Sequence, residues 1–301
     1  MNIGWKSVAW SAAALVLLLS IPTNLIVVTM FLLMVPIVVL YTILKPIPFL
    51  LHLVGVGLVT VLLLGTYAVI PLSLGFFFLI PSAVMGHMYK KHRPARTVVT
   101  TIILILIAQL IIELAIFSTQ YDMDLAGQMS SLLEETLAQV QSGALLPSDW
   151  AATTADSLGD AIVTALPSLL LLSSFLFAII THYLSRLSLR SMGIVVPAMS
   201  PMKNWMLPRS LVFYYFVALI LSYALSPDYE GFWNTVAANA VPILQFAFRI
   251  QAIAFFFYLA DMKKWPRIAP IAIAIPVFLI SPLYLIGLID VAFPLRRYFS
   301  K

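Results

Sequence analysis

The chain has 301 residues, 62% of them apolar and 10% charged, with a mean hydropathy of +1.04. Soluble domains carry about 25% charged residues, and so few charges cannot cover the core of a water-soluble protein of this size, which excludes soluble globular, disordered and nucleic-acid-binding classes. The excess of 17 basic over 12 acidic residues then reports membrane orientation, and zero cysteines exclude disulfides, thiolate metal sites and a cysteine nucleophile.

Continuous apolar runs without period-2 alternation predict an all-α polytopic membrane protein, because a helix satisfies its own backbone inside lipid. A spanning helix takes roughly 20 mostly apolar residues. In chain order the runs are 8–20 (short), 24–44, 49–69, 71–88, 97–118, 159–184, 210–225, 235–259 and 268–289, giving about eight to ten membrane helices. The first run follows Lys6, lacks a small-x-small cleavage site and reads as a retained helix. Its Ala9 and Ala13, four apart, form a small-residue face.

Charge orients these spans. Lys6 and Lys45 belong with three basic clusters: Lys90, Lys91, Arg93 and Arg96; Arg186, Arg190, Lys203 and Arg209; and Lys263, Lys264 and Arg267. Every turn then agrees with a cytoplasmic N-terminus in an inner membrane. The segment 121–160 holds seven acidic residues and no Lys or Arg, and is placed outside. Within it Leu125, Met129, Leu132, Leu133, Thr136 and Val140 recur at helical steps. The helix is expected to end at 143–147, with Ser148 and Asp149 capping the next one. This extracytoplasmic amphipathic helical hairpin either lies on the outer leaflet or lids a cavity. The run 268–289 is the exception, since a single helix there would put Arg296, Arg297 and Lys301 outside. Pro276 and Pro282 instead suggest a short hairpin near Ser281 that returns the C-terminus to the cytoplasm. With no Pro-, Gly- or Ser-rich linker and no repeat, residues 1–301 read as a single integral membrane domain with 121–160 as an insertion.

Polar residues within spans are functional candidates by default. In the fifth span Gln109 and Glu113 share a helix face. In the eighth, Asn239, Gln245, Arg249 and Gln251 interrupt an apolar, aromatic run. Arg249 is the one basic residue of 17 set so deep, where an unpaired arginine costs at least about 2.5–3.5 kcal/mol. Glu113 is the acidic residue comparably placed, so the two are expected to approach each other, directly or through water. Three readings stay open: an ion pair that fixes packing, a polar ligand or ion site, or an arginine snorkelling in lipid. His52 and His182 near span ends read as hydrogen-bonded filler, His87 and His92 as headgroup contacts, Asp261 as interfacial and Asp290 as a boundary contact. A carboxylate dyad of Asp261 and Asp290 is the enzymatic alternative. Zincin, nucleophile-elbow and phosphate-loop motifs are all missing, so no enzyme, metal or cofactor is expected, and coupling to ATP would need a separate ATPase.

Four features carry a resemblance: PSAVMG at 81–86 before a basic loop, the acidic outer hairpin, Asn239 followed by Gln251 in an aromatic span, and LIGLID at 285–290 followed by Arg296 and Arg297. Over most of its length the chain resembles the YybS-like family of bacterial integral membrane proteins of unknown function. It departs from the expected pattern at Ala252, where a glycine would follow the glutamine. That family is distantly similar to substrate-capture S subunits of energy-coupling-factor transporters. Those proteins bind a vitamin or metal near the outer face and dock on a shared coupling subunit and two ATPases through an Ala-x-x-x-Ala face, which Ala9 and Ala13 would match. The resemblance implies a small-solute binding or transport subunit, with a coupling subunit and ATPases as partners beside the lipid bilayer. The residue reading supplies its site: Arg249 anchors an anionic group, Gln109, Asn239, Gln245 and Gln251 orient it, and Glu113 positions Arg249 or binds a cationic part. The alternative is a non-transporting scaffold or regulator that holds partner proteins through its basic loops.

Overall fold

The computed structural model describes residues 3–121, 125–142, 147–225, 231–266, 268–293 and 295–299. Arg267, Lys301 and the 143–146 part of the expected helix end lie outside the described residues. The helices are α1 (Ile3–Ser20), α2 (Ile26–Ile43), α3 (Pro46–Leu64), α4 (Val69–Lys90), α5 (Ala95–Tyr121), α6 (Leu125–Ser142), α7 (Trp150–Ser191), α8 (Ser210–Ala224), α9 (Phe232–Met262), α10 (Ile268–Leu279), α11 (Tyr284–Ala292) and α12 (Leu295–Phe299). No strand occurs among the described residues, so the all-α expectation holds. Among the described residues five helical stretches are long and apolar enough to cross a membrane: Ile26–Ile43, Pro46–Lys90, Ala95–Ile116, Trp150–Ser191 and Phe232–Met262.

The chain forms two compact units, one of Met1–Phe117 with Leu170–Met199, the other of Ser118–Leu169 with Ser200–Lys301. In the first unit the Pro46–Lys90 stretch is a helical hairpin. Gly65 takes φ +56 at the end of α3, a left-handed conformation open to a residue without Cβ, and a short 3-10 turn leads into α4. The hairpin closes where Lys90 Nζ donates to the Leu44 carbonyl at 2.6 Å and sits 4.7 Å from the Tyr41 ring centroid. The end of α2, the start of α3 and the end of α4 therefore share one end of the unit. Gly86 explains the PSAVMG stretch, because a Cβ there would lie 2.8 Å from the Tyr41 ring. Leu33, Met34 and Val38 of α2 pack with Phe78 and Met85 of α4, Ile102 and Leu106 of α5, and Phe177 of α7. The Phe177 ring lies 4.7 Å from Phe31 and 5.2 Å from Phe78. Further along α7, His182 Nδ1 bonds the Tyr89 hydroxyl at 2.8 Å. Since α4 and α7 both progress toward Lys90, Arg186 and Arg190 come to the same end as Lys45, Lys90, Arg93 and Arg96. The basic clusters of this unit gather as the charge pattern predicts. His52 is bonded to Ser11 at 2.8 Å, so both span-end histidines have partners.

In the second unit α6 lies against the early part of α7. A Cβ on Gly159 would come within 2.4 Å of Ser130 Oγ and 3.2 Å of the Ala126 carbonyl, so glycine permits this close approach. The amphipathic helical hairpin is thus observed, and α7 begins at Trp150, directly after Ser148 and Asp149 as expected, ahead of the apolar run that opens at residue 159. Its 42 residues extend about 63 Å, roughly twice the hydrocarbon thickness.

The chain's last apolar run does break. Helix α10 has 12 residues and α11 has 9, about 18 and 14 Å, each too short to span. Between them lies a 3-10 turn at Ser281–Leu283. Arg296 beyond α11 donates to the carbonyls of Lys203 (2.7 Å) and Trp205 (2.9 Å), and Lys203 Nζ pairs with Asp261 Oδ2 at 2.9 Å. Asp261 ends α9, which leads directly into α10. The hairpin therefore enters and leaves at the same end of the unit, as the charge conflict at Arg296 suggested. Its second arm is seated on α9: a Cβ on Gly287 would lie 1.8 Å from the Phe248 carbonyl oxygen and 2.7 Å from Ala252 N. The backbone approach expected of a glycine at 252 is supplied by Gly287 opposite it.

Candidate functional site

Polar groups of the second unit meet at the hairpin tip. Arg249 lies 13 residues before the end of α9, about 20 Å along its axis and so near mid-span. Its Nη2 donates to Ser281 Oγ at 3.3 Å, just past the end of α10. A helix C-terminus carries partial negative charge, which favours a cation at that position. The Arg249 Nε is sealed from solvent and has no acceptor. One turn earlier Gln245 donates to the Tyr215 hydroxyl at 3.3 Å, which donates to the Tyr284 hydroxyl at 2.7 Å. Tyr215 is buried and also meets Phe248 edge-on, 5.6 Å between centroids. Helices α8, α9 and the hairpin thus converge Tyr215, Gln245, Arg249, Ser281 and Tyr284. Pro276 and Pro282, with the charge conflict at Arg296, signal the turn near Ser281 in the sequence. Tyr215 and Tyr284 carry no such signal.

Asn239 stands elsewhere. Its Oδ1 accepts from Ser168 N–H at 2.8 Å, and its Nδ2 donates to the Thr164 and Thr235 carbonyls, each at 2.8 Å. Thr164 carbonyl and Ser168 N–H would bond each other in an unbroken α-helix. Pro167 lies between them, and its ring disturbs that ladder. The Asn239 amide meets α7 beside the proline and bonds both groups. Its polarity serves the backbone of α7.

Gln251 belongs to a third cluster. Its Oε1 accepts from Leu207 N–H at 3.0 Å and its Nε2 donates to Asp290 Oδ2 at 2.6 Å. Arg296 donates to the same oxygen from Nη2 at 3.0 Å and from Nε at 3.2 Å. Asp290 is 0% exposed and is paired with Arg296, six residues on. Both carboxylate oxygens accept, Oδ1 from Arg296 Nε at 3.4 Å, and the buried charge is paired with a cation. Asp261 and Asp290 make no hydrogen bond to each other among the described residues, and each carboxylate is held by its own cation, Lys203 and Arg296. Arg249 is therefore joined by Arg296 as a basic side chain withdrawn into the unit, the latter 17% exposed. Asn239, Gln245, Arg249 and Gln251 make no hydrogen bond to one another among the described residues; three separate clusters hold them.

Gln109 and Glu113 fall in the first unit and Arg249 in the second. Gln109 Nε2 donates to the Phe77 carbonyl at 3.1 Å while its Oε1 is buried and unbonded. Glu113 is exposed. The first unit also buries hydroxyls the sequence did not single out: Ser82, Ser174, Thr181 and Ser185 are each 0% exposed and unbonded. Ala9 is exposed and Ala13 half-buried.

The family model described as Predicted membrane protein (DUF2232) matches residues 11–291. The chain is 23% identical over 272 residues to "Uncharacterized protein YybS" of Bacillus subtilis (strain 168), covering 86% of this chain and 85% of that protein. No solved structure matches.

Proposed function

The chain belongs to the predicted membrane protein family DUF2232, and on that premise we propose that it is a solute-binding or transport subunit whose ligand carries a carboxylate or phosphate. The observation that supports this reading is Arg249. A guanidinium near mid-span, with one 3.3 Å bond and a sealed, unbonded Nε, is a charged donor short of acceptors. A carboxylate or phosphate matches its planar fork bidentately. Gln245, Ser281 and Tyr284 supply the orienting hydrogen bonds. A half-helix ending at membrane depth, as α10 does, is a recurrent way to build solute sites in transporters. The site proposed is confined to the second unit. In the orientation the basic ends favour, the α6–α7 hairpin lies outside the bacterial cytoplasmic membrane and the hairpin α10–α11 enters from the cytoplasmic side. Resemblance to S subunits adds a coupling subunit and ATPases as partners.

The test is thermal unfolding of detergent-purified protein with carboxylates, phosphate monoesters and their neutral analogues. A ligand that binds only the folded state adds about 2.7 kcal/mol at 100-fold over its Kd. Anionic members should raise the Tm of the wild type and of Arg249→Lys but not of Arg249→Gln. Equal response to neutral analogues, or an undiminished response in Arg249→Gln, overturns the proposal. No response across the panel transfers the reading to a membrane scaffold.

A further inference from the structure

A second site lies at the opposite end of the hairpin from Arg249. Helix α9 closes with Trp265 N–H donating to the Ala260 carbonyl at 2.8 Å and Lys264 N–H to the Asp261 carbonyl at 3.3 Å. This is the closure in which glycine is the usual residue at the left-handed position. Here Lys264 occupies it, at φ 54. The local backbone favours glycine, yet the chain carries a long cationic side chain there, and such departures concentrate at functional sites.

That side chain borders a cavity of about 550 Å³ between α9, α10 and the 201–203 segment. Its walls are Met202, Phe257 and Ile271, and its rim is Lys203, Lys264 and Trp265. The acidic residue on the rim, Asp261, is already held by Lys203. Lys264 is exposed and makes no ion pair among the described residues, and Lys263 beside it is exposed as well. The cavity therefore offers surplus positive charge over apolar walls. It sits where a spanning helix ends beside a half-exposed tryptophan, the depth at which aromatic residues meet headgroups.

We propose that this cavity binds an anionic phospholipid, with the phosphate on Lys264 and Lys203 and the upper acyl chain along Phe257 and Ile271. Basic pockets between membrane helices take lipid headgroups for this electrostatic reason, and the apolar walls select a lipid over a free anion.

The experiment is native mass spectrometry of the full chain titrated with phosphatidylglycerol, phosphatidylcholine or inorganic phosphate. Phosphatidylglycerol should be retained in preference to phosphatidylcholine. Lys264→Gly should weaken its retention about fivefold, the weight of one lysine at a charged headgroup surface, while Lys264→Arg keeps it. Glycine suits the left-handed position, so Lys264→Gly should unfold at or above the wild-type Tm and loss of lipid cannot be ascribed to misfolding. Equal retention of the two lipids, or unchanged retention in Lys264→Gly, overturns the proposal. Displacement of the lipid by inorganic phosphate overturns it too, in favour of a soluble-anion site.

Discussion

Replacing Asn239 by leucine tests whether that side chain repairs α7 at Pro167. The change keeps the volume but removes three hydrogen bonds of 2.8 Å. Hydrogen bonds between membrane helices are worth about 0.6 kcal/mol on average, because the unbonded groups find other partners. Here the groups stranded are main-chain ones beside a proline. The Ser168 N–H is buried, and an unsatisfied buried donor costs about 1–3 kcal/mol; the part-buried Thr164 carbonyl costs less. Asn239→Leu should therefore destabilise by about 2–4 kcal/mol. Pro167→Ala removes the ring and lets Ser168 N–H reach the Thr164 carbonyl, so it should stabilise the leucine variant more than the wild type. Equilibrium unfolding of the four proteins in detergent gives the coupling, expected at about 1–2 kcal/mol, within the range found for interacting neighbours. Additivity within about 0.5 kcal/mol would refute the reasoning, since Asn239 would then hold nothing that the proline had freed.

Gly287→Ala should destabilise by at least about 1–3 kcal/mol, the usual cost of overpacking, because its Cβ has no room against the Phe248 carbonyl. Gly55→Ala, with nothing within 4 Å, should be neutral or gain about 0.5–1 kcal/mol from helix propensity, and similar unfolding of the two variants would contradict the close seat of α11. The absence of native cysteine makes single-cysteine labelling clean. An impermeant thiol reagent on intact cells should label Ser148→Cys, and should label Lys263→Cys and Phe299→Cys only after lysis. Different behaviour of the last two would break the hairpin assignment, and protection of Ser148→Cys would invert the proposed orientation.

The helical framework was legible because lipid demands apolar length, and the runs 24–44, 97–118 and 235–259 each coincide with a helix. The terminal hairpin was legible from two prolines together with an electrostatic conflict at Arg296, where neither alone sufficed. The partners were not. Asp290 stands close to Arg296 in the chain, but the fold-back of the run is what brings it against Gln251 and buries it fully. Four-residue spacing showed which residues share a face of α9 but carried nothing about the neighbour each face meets. Gln245 and Arg249, four apart, both reach the hairpin tip, whereas Gln251, six from Gln245 and about 120° round the helix, meets Asp290. A counterion for Arg249 was sought among carboxylates because charges are scarce enough to pair by eye. Its partner within the unit is Ser281, a hydroxyl common enough to pass without notice.

The hairpin's short arms also bear on what holds them. A helix crosses the bilayer unaided when its apolar length suffices, and neither 12 nor 9 residues meets that threshold. Once the run folds at Ser281–Leu283 neither arm spans alone, and the second rests on α9 with Gly287 against the Phe248 backbone. The closing of the second unit therefore depends on protein contacts that membrane partitioning does not supply.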